Sequence, residues 1–358
     1  MRSQRSRVAS RLIYTRSVVR VSFAFTVIPE TIGKYRAIAP LGQGRVGIVY
    51  RAQDTETGRA VALKLVPSSH FAMPEAKQKF LEDAQAAMKL SHPHLRQLYE
   101  AGESGDQVFL AMEYLEGSTL KNLLGSGPVE PEAALGWGAE IADALTAAHA
   151  AGVAQGELTP GKVFVTEQST AKLIDTGLWR LEVASGRDLT QPDAGVGAVV
   201  EPAVAAMLAP EQFGGAEPSP GSDLFALGVV LYQMATGGQP FLDADAAQTM
   251  HWVLGRAPEP PSRVNPRMPE ALDAVVARLL EKDPRLRLQG ASDAAVALRA
   301  VAAGEPLPPS VTERPELPVA AAAEAAPAPK SKLAYWLVAG GIVLAALLWY
   351  LYRTLGQP

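Results

Sequence analysis

The sequence predicts an α+β fold in which a small strand-rich part precedes a larger helical part. Apolar residues alternate in the stretches 46–49 and 61–65, the pattern of partly buried strands. Further along, apolar residues recur at helical spacing over 133–151 and 271–280. We therefore expect one folded region over 32–303, with strands first and helices after them.

The composition limits the classes of function. A chain of 358 residues with 48% hydrophobic and 20% charged residues is typical of a globular protein. Its formal net charge of −4 gives no electrostatic reason to expect a nucleic-acid partner. The absence of cysteine excludes disulfides and cysteine-ligated zinc, and the five scattered histidines show no metal-ligand spacing.

The N-terminal segment 1–31 differs from the rest of the chain. It contains six arginines and no acidic residue before Glu30. A targeting peptide and a basic arm that lies on a membrane surface would both fit this composition. We favour an unstructured extension, because chain termini are usually poorly ordered.

The C-terminal part predicts a linker followed by one membrane span. Seven prolines surround an alanine run in 304–332, which predicts a semi-extended linker. The next twenty residues, 333–352, have no charge and would span about 30 Å as a helix, the hydrocarbon thickness of a bilayer. A buried core helix is the alternative, but such a helix rarely follows a proline-rich linker at the end of a chain. A short tail remains at 353–358.

The residues beside the span predict its orientation. Lys330 and Lys332 precede it and Arg353 follows it, which predicts a single-pass protein of the cytoplasmic membrane with the large domain in the cytoplasm. Gly341 and Ala345 form a pair of small residues that could pack two spans together in a homodimer. A single span offers no pore, so a transporter or channel is not expected.

A glycine-rich loop and a lysine predict a phosphate-binding site. A dinucleotide-binding loop would require a helix directly after its glycines. Here 47–52 is predicted to be a strand, followed by a turn at 54–58 and a second strand over 60–66. That strand contains Lys64 in an apolar run, and a buried ammonium needs an anionic partner. Three glycines could let backbone amides approach phosphate: Gly42, Gly44 and Gly47.

Further landmarks follow in a fixed order. They are His92-Pro93-His94-Leu95, Met112-Glu113-Tyr114-Leu115, Ala209-Pro210-Glu211, Ser222-Asp223-Leu224-Phe225-Ala226-Leu227-Gly228 and Arg287. With the glycine loop and Lys64, this series resembles the bacterial-type (eukaryotic-like) Ser/Thr protein kinases over 32–303. The resemblance implies a two-lobed protein-kinase fold, with a β-rich small lobe over 32–111 and a helical large lobe over 112–303.

The resemblance also implies ATP and magnesium as cofactors. Asp175 would bind the metal ion. Asp83 stands at the position of the helix glutamate that pairs with the lysine, but it is one methylene short of the reach to Lys64, and the neighbouring Glu82 could substitute for it. Arg287 would pair with Glu211. The residues expected to contact the nucleotide are Gly42, Gly44, Gly47, Val49, Ala62, Lys64, Asp83, Glu113, Leu115 and Asp175, with Met112 as gatekeeper and the 112–115 backbone holding adenine.

The catalytic loop departs from the family pattern at three chemical positions. Glu157 stands in place of the catalytic aspartate and is one methylene longer, so the carboxylate is displaced. Thr159 replaces a lysine and removes a positive charge from the transferring phosphoryl group. Lys162 replaces the metal-binding asparagine, so it should repel magnesium and pair with phosphate or with Asp175.

Further departures affect the support of the site. Gln155 and Thr176 replace the histidine and phenylalanine of an apolar column that joins the lobes of active kinases. Gly156 cannot bind a phosphate on the activation loop, and Val204 replaces the threonine on the substrate side. Several changes at chemical positions, on an intact set of fold landmarks, indicate a pseudokinase.

Two functions remain open. The first is a membrane-anchored pseudokinase scaffold in signalling that still binds ATP and whose partners are cytoplasmic signalling proteins or other kinases. The alternative is an active Ser/Thr kinase with Glu157 as base, Lys64 and Lys162 on the phosphates and Asp175 on magnesium. A purely structural ion pair between Lys64 and Asp175 is a third interpretation of the cluster.

Overall fold

The computed structural model describes residues 31–44, 46–183 and 201–314. These residues form two compact units: 31–126, 143–183 and 215–219 make the first, and 127–142, 201–214 and 220–314 the second. The predicted arm before residue 31, the span at 333–352 and the tail lie outside the described residues. No helix in the described ranges is long and apolar enough to cross a bilayer.

The first unit contains a five-stranded antiparallel sheet. Its strand order is β1-β2-β3-β5-β4. The central strand β3 is buried on both faces from Val61 to Val66, which explains its continuous apolar run. In the register of the sheet, Lys64 on β3 lies opposite Val49 on β2 and Leu110 on β5. The strands are β1 Tyr35–Gln43, β2 Ile48–Asp54, β3 Ala60–Pro67, β4 Leu98–Ser104 and β5 Gln107–Glu113.

Helix α1, Pro74–Met88, covers one face of this sheet. Proline at its first position suits a helix start because that N–H has no partner within the helix. Phe80 and Ala84 are fully buried against residues of the sheet. Leu178 and Leu181, from the segment after Asp175, enter the same core.

A second, three-stranded sheet completes the first unit. It consists of β6 Gly117–Thr119, β7 Val163–Thr166 and β8 Ala171–Leu173. The short helices α2, Leu120–Leu124, and α4, Arg180–Val183, lie in the same unit. Because these elements group with the five-stranded sheet, the first unit extends beyond the predicted small lobe of 32–111.

The second unit is helical in its described residues. The boundary between the units falls within α3, Pro131–Ala150, which confirms the helix predicted over 133–151. Its central helix α6 is buried along most of its length. The remaining helices are α5 Pro202–Ala205, α6 Pro220–Thr236, α7 Ala246–Gly255, α8 Pro261–Val264, α9 Ala271–Leu279, α10 Ala291–Ala303 and α11 Pro309–Thr312.

Helix α11 corrects the predicted end of the folded region. The sequence predicts a linker from residue 304, but Val311 is buried and the guanidinium of Arg278 donates to the Ser310 carbonyl at 3.2 Å. Arg314 forms an ion pair with Glu281 at 2.8 Å. The prolines therefore start a short packed helix, and the folded region reaches at least residue 314 rather than 303.

The predicted pair of Arg287 and Glu211 is confirmed. Arg287 is fully buried, and its two terminal nitrogens each lie 2.7 Å from one Glu211 oxygen. The guanidinium also donates to the main-chain carbonyls of Gly221, Glu281 and Lys282. This geometry uses the planar fork of arginine, which the single ammonium of lysine cannot reproduce.

The Arg287→Lys variant is therefore expected to lower the free energy of unfolding by about 2 kcal/mol, since charge-assisted hydrogen bonds are lost from a buried site. Urea denaturation of the variant and the parent measures this loss. Arg285→Lys is the matched control, because Arg285 is exposed beside Asp283 and should change stability by less than about 0.5 kcal/mol. Equal losses in the two variants would contradict the structural role of Arg287.

Candidate nucleotide-binding site

The glycine loop lies between β1 and β2. Gly47 has a φ of +93°, and a Cβ there would lie 2.0 Å from the Leu65 carbonyl oxygen, so only glycine fits. The Gly44 N–H donates to the Gly47 carbonyl at 3.0 Å and closes the turn. A Cβ on Gly42 would meet nothing within 4 Å, and one on Gly44 only backbone atoms at 3.9 Å. Gly47 is thus required by the fold, whereas Gly42 and Gly44 leave open space beside the backbone.

Three predicted residues meet in one buried charge cluster. The Oδ2 of Asp175 accepts hydrogen bonds from Lys162 Nζ at 3.0 Å and from Lys64 Nζ at 3.4 Å. The side chains of Lys64, Asp175 and Lys162 are only 8%, 12% and 17% exposed. The structure therefore brings together the lysine of the sheet, the lysine of the catalytic loop and the aspartate of the predicted metal site.

The backbone around Asp175 is held in an unusual conformation. Asp175 has a φ of +58°, a backbone region that residues other than glycine seldom adopt. Gly177 has a φ of +75°, and a Cβ there would lie 2.7 Å from Val153. Burial alone would raise the pKa of Asp175, but the charges of Lys162, Lys64 and Arg96 hold this pKa well below its usual range. Asp175 is therefore ionised throughout the neutral range.

Arg96 belongs to the site, although the sequence analysis did not identify it. Its Nε donates to the main-chain carbonyl of Glu113 at 3.0 Å, and its charge acts on Asp175. Burial lowers the pKa of Arg96, while Asp175 and Glu113 oppose that shift. Its sequence surroundings, Leu95-Arg96-Gln97-Leu98, form no apolar run of the kind that identified Lys64, so the sequence offered no signal for it.

The predicted hinge residues have contacts of their own. The Glu113 carboxylate pairs with Lys172, whose Nζ lies 2.9 Å from both oxygens, and the Glu113 N–H donates to the Gln97 carbonyl at 2.8 Å. An adenine amine bound at the Glu113 carbonyl would share that oxygen with Arg96 or displace it. Leu115 is half-buried, and Ala62 is buried opposite Met112 in the sheet register.

Asp83 does not reach Lys64, in line with a side chain one methylene too short, and the prediction that Glu82 substitutes for it is wrong. Asp83 Oδ2 accepts from Arg180 Nε at 2.8 Å, and its Oδ1 lies 3.6 Å from Lys79. The substitute Glu82 also pairs with Lys79 at 3.6 Å. Leu178 and Leu181 are buried in the core beneath α1, which brings the intervening Arg180 to Asp83. Lys64 takes its counter-charge from Asp175 instead.

A polar pair replaces the interrupted apolar column. Thr176 Oγ1 donates to Gln155 Oε1 at 2.6 Å, and Gln155 Nε2 donates to the Ile174 carbonyl at 3.1 Å. Both side chains are buried, so these bonds avoid the cost of unsatisfied polar groups. A small cavity beside them is lined by Ala87, Leu90, Leu95, Arg96, Leu98, Met112, Asp175, Thr176 and Leu178.

The remaining catalytic-loop positions, Glu157 and Thr159, lie just before a short turn. Glu157 is half-buried and precedes the buried Leu158. The Thr159 carbonyl accepts from the Lys162 N–H at 2.9 Å, which closes a single 3₁₀ turn over Pro160–Lys162. The Lys162 carbonyl accepts from the Ile174 N–H at 2.9 Å. Thr159 thus helps to direct Lys162 towards Asp175.

The residues at Asp175 do not fit a magnesium ion. Two ammonium groups are bonded to the Oδ2 of Asp175, and Lys162 stands where the resemblance places an asparagine ligand. Magnesium requires oxygen ligands in octahedral geometry. Within the described ranges, no group of three or more His, Cys, Asp or Glu side chains could hold a metal ion.

Comparison with known proteins agrees with the fold. The sequence-family model of the protein kinase domain matches residues 35–297. A probable serine/threonine-protein kinase of Streptomyces coelicolor is 34% identical over 280 residues, which are 77% of this chain and 41% of that protein. PknD of Mycobacterium tuberculosis is 35% identical over 281 residues, with the same coverage of 77% and 41%.

The crystal structure of the M. tuberculosis PknI kinase domain has a similar fold. Its TM-score is 0.62 at 23% identity, and the match covers 78% of this chain and all of that domain. The two-lobed protein-kinase fold predicted from the sequence is therefore confirmed. The chain spans about two fifths of the length of these curated relatives. Because the family model covers most of the chain, the protein belongs to the protein kinase family, and the curated relatives named above are bacterial serine/threonine-protein kinases.

Proposed function

We propose that this protein is a membrane-anchored pseudokinase that binds a nucleotide and acts as a scaffold in signalling. The observation on which this rests most is the charge cluster, in which Lys162 occupies the metal-ligand position and binds Asp175. Without an asparagine at 162 and a lysine at 159, the site lacks two groups that position and neutralise a transferring phosphoryl group.

Nucleotide binding is supported by the parts that remain. The glycine loop leaves open space at Gly42 and Gly44, and two buried ammonium groups are held together at Asp175. Such a cluster suits a phosphate chain, because lysine ammonium groups are effective phosphate ligands. A purely structural ion pair would predict no response to ATP.

Membrane anchoring and partners are also proposals. The uncharged stretch 333–352 supports a single span, and the flanking lysines support a cytoplasmic kinase-like domain. Partners would be cytoplasmic signalling proteins or other kinases, with a homodimer formed through the spans. Membrane fractionation of the full chain and of a truncation after residue 332 tests the anchor: only the full chain should sediment with membranes.

An active Ser/Thr kinase is the second candidate. It is favoured by the carboxylate that Glu157 retains and by relatives named as serine/threonine-protein kinases. In that case Glu157 would accept the proton of the substrate hydroxyl.

Transfer of labelled γ-phosphate decides between the candidates. The purified full chain in detergent is incubated with ATP and magnesium, and label is followed on the chain and on a general protein acceptor. We expect no transfer above that of a Lys64→Met control, together with a rise in melting temperature on adding ATP. Transfer clearly above the control would overturn the pseudokinase proposal.

A further inference from the structure

We propose that the Lys64–Lys162–Asp175 cluster binds the phosphate chain of a nucleoside di- or triphosphate without a divalent cation, with the Lys162 ammonium supplying the positive charge of the missing metal. This inference rests on the nucleotide binding in the proposed function and adds the chemical form of the ligand. The geometry at the Oδ2 of Asp175 supports this inference.

Two ammonium groups limit the room for a metal ion at Asp175. The Oδ2 of Asp175 is within hydrogen-bonding distance of both ammonium groups. A magnesium ion at this oxygen would take the place of one of them and would be repelled by both at short range in a buried site. Arg96 adds a third positive charge that acts on the same carboxylate. The cluster therefore opposes a cation and favours an anion.

Backbone hydrogen bonds hold Lys162 in position. Its backbone is anchored on both sides, by the N–H bond to Thr159 and by the carbonyl bond from Ile174, each 2.9 Å long. The side chain is largely buried, so Lys162 is preorganised rather than a mobile surface lysine. An ammonium group has three N–H donors and can donate to more than one acceptor at once. Lys64 and Lys162 can therefore bind a phosphate oxygen while they bind Asp175.

The two lysines also indicate the chemistry of the ligand. Two ammonium groups at a single point suit a group with several charged oxygens, such as a di- or triphosphate. The glycine loop belongs to the same unit as the cluster and leaves open space beside Gly42 and Gly44. A metal bound to the phosphates would add a repulsive charge to a site that already holds its own cations. We therefore expect metal-free ATP to bind at least as tightly as magnesium ATP.

Isothermal titration of the full chain in detergent tests this expectation. ATP is titrated in EDTA and, separately, in excess magnesium, and tripolyphosphate in EDTA probes the phosphate contacts without a base. Binding of ATP in EDTA with an affinity equal to or above that in magnesium supports the inference. Binding that requires magnesium would overturn the inference and leave nucleotide binding intact. No binding under either condition would overturn both.

The Lys162→Asn variant tests the role assigned to this lysine. We expect its affinity for ATP in EDTA to fall about tenfold or more, the effect of losing one charge-assisted contact. Magnesium should then strengthen binding, because the repelling ammonium is gone. Lys121→Asn is the matched control, since it makes the same charge change at an exposed position of α2.

Unchanged affinity of Lys162→Asn in EDTA would overturn the role of Lys162. Thermal melting of both variants shows whether they are folded. If Lys162→Asn does not fold, the comparison of EDTA and magnesium on the unmodified protein still decides the inference.

Discussion

The Gly156→Arg variant is expected to lose more than about 4 kcal/mol of unfolding free energy, enough to prevent a stable fold. Active kinases of the family have, at the position that matches Gly156, an arginine that binds a phosphate on the activation loop. Gly156 has a φ of +84°, and a Cβ there would lie 2.4 Å from the Trp179 ring. The guanidinium of Arg180 stacks on that ring at 4.2 Å, which fixes the tryptophan in place. The packing of the first unit thus excludes an arginine at position 156.

Gly152→Arg is the matched control for this variant. Gly152 has a similar φ of +74°, but a Cβ there would meet nothing within 4 Å. Its substitution should therefore cost only the backbone strain of about 1–2 kcal/mol. Thermal and urea denaturation measure both losses, and adding Trp179→Ala to Gly156→Arg should recover part of the larger one. Equal losses at positions 152 and 156 would contradict the clash with Trp179.

This packing bears on attempts to restore phosphotransfer. Replacing Glu157, Thr159 and Lys162 with the residues of active kinases repairs the chemical positions but leaves Gly156 beneath Trp179. It also leaves Asp83 paired with Arg180. We therefore expect that a variant with a repaired catalytic loop would not be controlled by activation-loop phosphorylation, even if it gained phosphotransfer activity.

The sequence predicted those features that depend on residues close together in the chain or on the order of family landmarks. Lys64 stood out because an ammonium in an apolar run needs a partner, and its burial on the central strand fits that reasoning. The pairing of Lys162 with Asp175 was one of two expectations, phosphate being the other. Arg287 and Glu211 were recognised through the family, since 76 residues separate them.

Other features depend on how distant segments pack. The partner of Asp83 is decided by the four-residue helix α4, which is too short to give a periodic signal. The role of Arg96 becomes visible only when β4 and β5 bring its side chain to the Glu113 carbonyl. Helix α11 was missed because its prolines indicate a linker, whereas the burial of Val311 is a tertiary effect.

The Asp175→Asn variant is expected to lower the free energy of unfolding by about 3–5 kcal/mol at pH 7, because two buried ammonium groups lose their counter-charge. An aspartate in an unfolded chain has a pKa of about 3.9. The pKa of folded Asp175 is far lower, so its stabilisation is complete above about pH 5, begins to decline as the pH falls below about 4, and is fully lost only as the pH falls through the much lower folded-state pKa.

Asparagine does not titrate, and the difference in stability between the parent and the variant should therefore shrink below about pH 4. Urea denaturation at pH 7, 5 and 3 measures this difference. Asp106→Asn makes the same atomic change at an exposed turn and should leave stability within about 0.5 kcal/mol of the parent at each pH. A difference for Asp175→Asn that stays constant from pH 7 to pH 3 would mean that the charge of Asp175 does not hold the two lysines together.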